Sequence, residues 1–146
     1  MASYLATGCS RGLELALVAR LATLPKTEVG TILATARQDH SPQLTEIAST
    51  SSGRLQIVKL HVTDESSVKE AVAVVERQLQ VKGLDYLVNN AGVSDWSPTG
   101  LEGMDNLNEM FNINATGTHL VSRLPATSVQ RRQESNNQHV RTAGGN

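Results

Sequence analysis

Tyr4-Leu5-Ala6-Thr7-Gly8-Cys9-Ser10-Arg11-Gly12-Leu13-Glu14 is the stretch that decides the fold. Its first four residues read as a short strand, and the two glycines then form a turn that opens straight into a helix. Glycines at a strand-to-helix turn let backbone N–H groups approach a phosphate closely, and the helix N-terminus adds partial positive charge. Two glycines four apart also suit any tight turn. Their place at the head of a strand–helix–strand unit favours the phosphate.

Working outward, the apolar positions Leu13, Leu15, Ala16, Leu17, Ala19 and Leu21 are too dense for one narrow stripe. They predict a helix over 13–24 buried on most sides and closed by Pro25. A β-branched run over 31–36 predicts a second strand, followed by a Ser41-Pro42 turn, a short helix over 44–48 and a polar loop over 49–53. Residues 55–62 read as a third strand. Val68, Ala71, Val72, Val75 and Leu79 recur at helical spacing behind Asp64, a suitable N-cap, and Gly83 ends that helix. A fourth strand over 84–88, a loop over 89–103 and a last helix over 105–123 complete the pattern. Leu107, Met110, Phe111, Asn114 and Val121 lie near one face of that helix.

Strand and helix thus alternate four times, with connections too long for hairpins. Parallel strands joined by right-handed crossovers follow, giving an open α/β sheet with helices on both faces. The expected domain is residues 1–124. Beyond it, residues 125–146 hold only Ala126, Val129, Val140 and Ala143 as apolar positions. Such a stretch cannot bury enough surface to offset its ordering entropy, and it reads as a polar, disordered tail.

Composition narrows the function. Thirteen basic residues against fourteen acidic ones give a net charge of −1, with no basic excess to attract nucleic acid. The four aromatic residues, Tyr4, Tyr86, Trp96 and Phe111, are too few for a base-stacking platform. No apolar run reaches the roughly 18 residues of a membrane span. The single cysteine, Cys9, forms no internal disulfide, and no leader opens the chain. A cytoplasmic protein is expected.

Asn89-Asn90-Ala91-Gly92 after the fourth strand gives the glycine turn its context. Together the two motifs resemble the short-chain dehydrogenase/reductase family, whose members carry Thr-Gly-x-x-x-Gly-x-Gly after strand one and Asn-Asn-Ala-Gly after strand four. The resemblance runs over residues 3–124. The wording of 53–65 and 83–92 is similar to fungal carbonyl and polyketide ketoreductases of the norsolorinic acid ketoreductase type. It implies a Rossmann-like, doubly wound parallel sheet, here truncated after about four strands, and hydride chemistry on a small-molecule carbonyl substrate.

By position, the resemblance assigns Gly8 and Gly12 to a cofactor pyrophosphate and Ser10 to one of its oxygens. It places Asn89, Ala91 and Gly92 along the ribose side, with Asn89 also bracing the sheet; a plain turn is the alternative for that asparagine. Arg37, ending the second strand, and Arg11 in the turn together suit a 2′-phosphate, which predicts NADP (NADPH) as cofactor. Two solvated surface arginines are the alternative, and Asp39 close behind Arg37 weakens the case. Val62 matches the small apolar residue beside the adenine. The aspartate before it in the family is His61 here, whose neutral imidazole can still accept from the adenine amine; a bland strand-end histidine is the other reading. Asn114 matches the helix asparagine of the proton relay, and Met110 and Phe111 before it predict that it faces inward.

Two departures count against activity. Glu14 replaces the third glycine, adding bulk and like charge beside the pyrophosphate and predicting weak binding. The Tyr-x-x-x-Lys pair, tyrosine as acid/base and lysine lowering its pKa, has no match: four residues beyond Tyr4 and Tyr86 stand Gly8 and Asn90, and the last lysine is Lys82. The expectation is an oxidoreductase by family that is inactive alone, with a non-catalytic dinucleotide-binding remnant or an interaction fragment as alternatives. The 105–123 helix, deprived of the family's next helix, is the expected surface for homo-oligomers.

Overall fold

Asp85 anchors the sheet from below, accepting at one carboxylate oxygen from the Ser3 N–H at 2.8 Å and from Ser3 Oγ at 3.0 Å. That contact joins two strands far apart in sequence. The computed structural model describes residues 1–38, 41–94 and 97–123. Asp39, Trp96 and the expected tail over 125–146 lie outside the described residues.

Four strands, β1 (Ala2–Ala6), β2 (Val29–Ala36), β3 (Leu55–Lys59) and β4 (Tyr86–Val88), form one parallel sheet in the order β3-β2-β1-β4. Helices α1 (Gly12–Thr23) and α2 (Pro42–Thr50) are the first two crossovers, and α3 (Glu65–Leu79) is the third. Because successive side chains of a strand point to opposite faces, the sheet has two cores. Leu5, Leu33 and Val58 pack with Val68, Ala71, Val75 and Leu79 of α3. Ala6, Ile32, Ala34 and Ala36 pack with Val18 and Leu21 of α1 and Leu44 of α2. The expected doubly wound α/β sheet is the observed one.

Local chemistry explains the helix ends. Asp64 Oδ1 accepts from the N–H groups of Ser66 and Ser67, at 2.9 and 3.3 Å, capping α3. Pro42 takes the first position of α2, where its missing N–H costs nothing. Arg54 reaches the carbonyls of Ala22 and Leu24 at the end of α1 and that of Val29 in β2, supplying donors to groups the helix leaves open.

Three expectations change. β3 ends at Lys59 rather than at Val62, because its partner β2 ends at Ala36; Leu60 still donates to the Ala36 carbonyl at 3.0 Å, and the chain then leaves the sheet. α1 is not buried on most sides: Leu13 is 80% exposed, while Glu14, Val18 and Leu21 are the buried positions. The last helix starts at Leu107 and is interrupted, running as α4 (Leu107–Phe111), a π turn (Asn112–Gly117) and α5 (Thr118–Arg123).

Candidate functional site

Where β1 ends, the chain turns through Gly8 and Gly12 with φ of +77° and +69°, a left-handed backbone that glycine adopts without a Cβ clash. A β-carbon on Gly8 would also come within 3.0 Å of the Ala91 Cα, so the turn and the loop after β4 touch through backbone. Space around Gly12 is open out to 4 Å. The turn is held by its neighbours: the Cys9 N–H donates to the Thr35 carbonyl at 2.8 Å, and Ser41 Oγ donates to the Ser10 carbonyl at 3.2 Å.

Thr7, buried beneath this junction, is its main tie. Its Oγ1 accepts from the N–H groups of Asn90 and Ala91, at 3.1 and 3.0 Å, and donates to the Val88 carbonyl at 3.4 Å. The end of β1 and the Asn-Asn-Ala-Gly loop are thereby fixed to each other. The sequence displays Thr7 only as the first letter of a motif; its three-way bonding follows from β1 and β4 being sheet neighbours.

Beyond the carboxyl ends of all four strands lies a cleft of about 520 Å³. From β1 and the start of α1 come Gly8, Ser10, Arg11, Gly12 and Glu14; from the end of β2, Arg37; from the segment after β3, His61 and Val62; from the loop after β4, Ala91 and Gly92. The strand order reverses between β1 and β4, and ligands of open α/β sheets bind at such a switch point. Eight of the ten residues singled out from sequence thus share one wall-to-wall site.

Asn89 and Asn114 do not line it. The Asn89 amide donates to Ser122 Oγ on α5 at 2.9 Å, tying the sheet end to the last helix and standing away from the cleft. Asn114 points its amide at the loop: Oδ1 accepts from the Val93 N–H and Nδ2 donates to the Val93 carbonyl, both at 2.8 Å. The expected inward face fails, since Phe111 is 69% exposed and Asn114 is exposed as well. Asn114 lies within the π turn Asn112–Gly117, whose one buried residue is Gly117.

Glu109 and Ile113, unmarked in the sequence reading, also line the cleft from α4 and the π turn. No motif flags them; only the fold brings them there. Burial pushes the Cys9 thiol up from 9.0 to about 12, against a lowering by its bond to Thr35 and with a smaller push from the Glu14 charge. Neither tyrosine lines the cleft: Tyr4 and Tyr86 stack on each other across β1 and β4, ring centroids 4.7 Å apart. Among the described residues, no cluster of three metal-ligating side chains occurs and no helix is long and apolar enough to cross a membrane.

These features agree with comparisons to known proteins. The family model described as short chain dehydrogenase matches residues 3–136. The mitochondrial D-beta-hydroxybutyrate dehydrogenase of Bos taurus is 35% identical over 80 residues, covering 53% of this chain and 23% of that protein. Norsolorinic acid ketoreductase nor1 of Dothistroma septosporum is 29% identical over 115 residues, covering 77% of this chain and 42% of its own. Among solved structures, the NADPH-bound carbonyl reductase from chicken fatty liver superposes with a TM-score of 0.79 at 30% identity, over 93% of this chain and 51% of that one. The chain therefore spans about half of that reductase and less than half of either curated relative.

Proposed function

The chain belongs to the short chain dehydrogenase family, and on that premise we propose that its cleft binds a nicotinamide dinucleotide in the 2′-phosphorylated form, NADP. The observation that carries this reading is the convergence of the glycine turn, Arg11, Arg37 and the Ala91-Gly92 loop on one cleft at the strand-order switch. The residues fit such a group. Open space at Gly12 and the start of α1 offer backbone N–H groups to a pyrophosphate. Arg11 and Arg37 are exposed on the cleft and have no ion-pair partner among the described residues, which leaves both forks for a 2′-phosphate. When bound in reduced form, the dinucleotide supplies a hydride to a small-molecule ketone. The chain's own part is to hold and orient that cofactor.

Proton delivery is a separate matter. The sequence has no Tyr-x-x-x-Lys pair, both tyrosines are stacked in the sheet outside the cleft, and burial holds Cys9 neutral, so the family's tyrosine acid has no counterpart here. This chain is accordingly the cofactor-binding half of a ketone/alcohol oxidoreductase, without turnover alone. The test is a fluorescence titration with NADPH and NADH. NADPH binding the more tightly supports the reading; equal or tighter NADH binding removes the two-arginine argument.

A second reading draws on Leu107 and Phe111, 57% and 69% exposed on α4. An apolar helix face of this kind suits docking on another copy or a longer relative. A chain that stays monomeric in sedimentation across a hundredfold concentration range contradicts it.

A further inference from the structure

Glu14 differs from the other polar residues of the cleft. It keeps only 5% of its surface exposed, yet no hydrogen bond or ion pair to a described residue holds its carboxylate. Among the described residues no sealed side-chain oxygen lacks a partner, so the Glu14 oxygens retain water contact, and the cleft that Glu14 lines is where they meet it. Its charge is felt at Cys9, but that thiol donates to the Ala6 carbonyl and offers no counter-charge. A carboxylate so placed is costly to desolvate further unless a donor or a positive charge comes to it.

Charge is unevenly spread along the cleft. Arg11 and Arg37 lie on the turn and at the end of β2, whereas Glu109 lies on α4, next to the loop after β4. A dinucleotide crossing the switch point sends its adenosine half toward β2 and β3. On that placement the nicotinamide half would fall to the side of the cleft away from Arg37, and the acidic residues lining the cleft are Glu14 and Glu109. The nicotinamide ring has two charge states, a pyridinium cation when oxidised and a neutral dihydropyridine when reduced.

We propose that Glu14, assisted by Glu109 on the α4 wall, makes this cleft select the oxidised dinucleotide over the reduced one. The inference rests on the cleft being a nicotinamide dinucleotide site. The pyrophosphate is common to both forms, so its repulsion by Glu14 lowers both affinities and cancels in their ratio. The attraction to the ring charge remains. Glu14 contributes the larger share because it is buried, while Glu109 is exposed and screened by solvent.

Calorimetric titration of NADP⁺ and NADPH at low ionic strength, on the wild type, Glu14→Gln and Glu109→Gln, tests this. Wild type is expected to bind NADP⁺ about three- to tenfold more tightly than NADPH. Glu14→Gln should bind both forms more tightly and bring the ratio close to one, and Glu109→Gln should lower it partway. If Glu14→Gln loses its thermal transition, Glu14→Gly is read in its place, since it removes the same charge with less bulk. Equal affinities in the wild type, or a ratio unmoved by either Glu14 variant, overturn the inference while leaving the cofactor site standing. Failure of every form of the protein to bind either dinucleotide overturns the site itself, and this inference with it.

Discussion

Asn114 and Val93 grip each other through both ends of an amide: the side-chain carbonyl takes the Val93 N–H while the side-chain NH2 gives to the Val93 carbonyl, each at 2.8 Å. The pair copies a step of β-ladder, and it pins the loop that forms one wall of the cleft. Asn114→Ala removes both bonds at a solvent-accessible site and is expected to cost about 1 kcal/mol. Asn114→Asp should cost at least as much, because a carboxylate cannot donate to the Val93 carbonyl. Urea unfolding measures both. Stability unchanged in the two variants would show that the loop holds itself.

Thr7 serves the facing edge of the same loop. Thr7→Val preserves shape but leaves the N–H groups of Asn90 and Ala91 without their acceptor. A fully buried donor left unsatisfied costs about 1–3 kcal/mol; these two bonds are only partly buried, so a loss of about 1–2 kcal/mol in all and weaker NADPH binding are expected. Thr7→Ser retains the oxygen and should recover most of both. Equal loss in the two variants would assign the effect to the methyl group instead.

Arg11→Ala and Arg37→Ala separate the phosphate reading from the solvated-surface one. Each should weaken NADPH by about tenfold, a charge-assisted hydrogen bond being worth about 1.5–3 kcal/mol before screening. NADH, which lacks the 2′-phosphate, should be unaffected. Parallel loss for both dinucleotides would place the guanidiniums at the pyrophosphate.

Cys9 gives a pH dependence with a definite sign. Burial raises its thiol to about 12 in the folded chain, against an ordinary 9.0. The folded state therefore holds its proton where the unfolded state has released it, and the associated stability is complete below about pH 9 and is lost as pH rises toward about 12. Thermal unfolding between those limits should drop faster with pH in the wild type than in Cys9→Ala. Maleimide at neutral pH should label the thiol only on unfolding.

Purified free of host reductases, the chain should not oxidise NADPH in the presence of aromatic or aliphatic ketones. Positioned general acid catalysis contributes roughly 10²–10⁴ in rate, and among the described residues no tyrosine or lysine lines the cleft to supply it. Saturable turnover abolished by Asn114→Ala would reverse this and make Asn114 part of a working relay.

The sheet was legible because its signals are local. Each strand is a short apolar run bounded by turn residues, and Asp64 with the 68–79 stripe marks α3 unmistakably. The cleft was legible where glycine and arginine carry their reason with them, as at Gly8, Gly12 and Arg37. What failed depends on neighbours. Leu13 looks like core in any window, yet it caps the cleft side of α1 and stays exposed. Met110, Phe111 and Asn114 read as an inward face, yet Phe111 and Asn114 are both exposed. Thr7, Glu109 and Ile113 acquire their roles only once β4 lies against β1.

That pairing also sets the order in which the molecule can be completed. Ser3 and Asp85, 82 positions apart, close the junction between the interior strand β1 and the edge strand β4 of the described sheet. During synthesis β1 can meet β2 early, but its other side stays unpaired until β4 has left the ribosome. Closing so long a loop adds little to the free energy, since the entropy grows only as the logarithm of length. It weighs on the rate, because non-local pairings slow folding. In that interval the bare side of β1 accepts any compatible strand, so the yield of correctly assembled chain depends on how quickly Tyr86 reaches Tyr4.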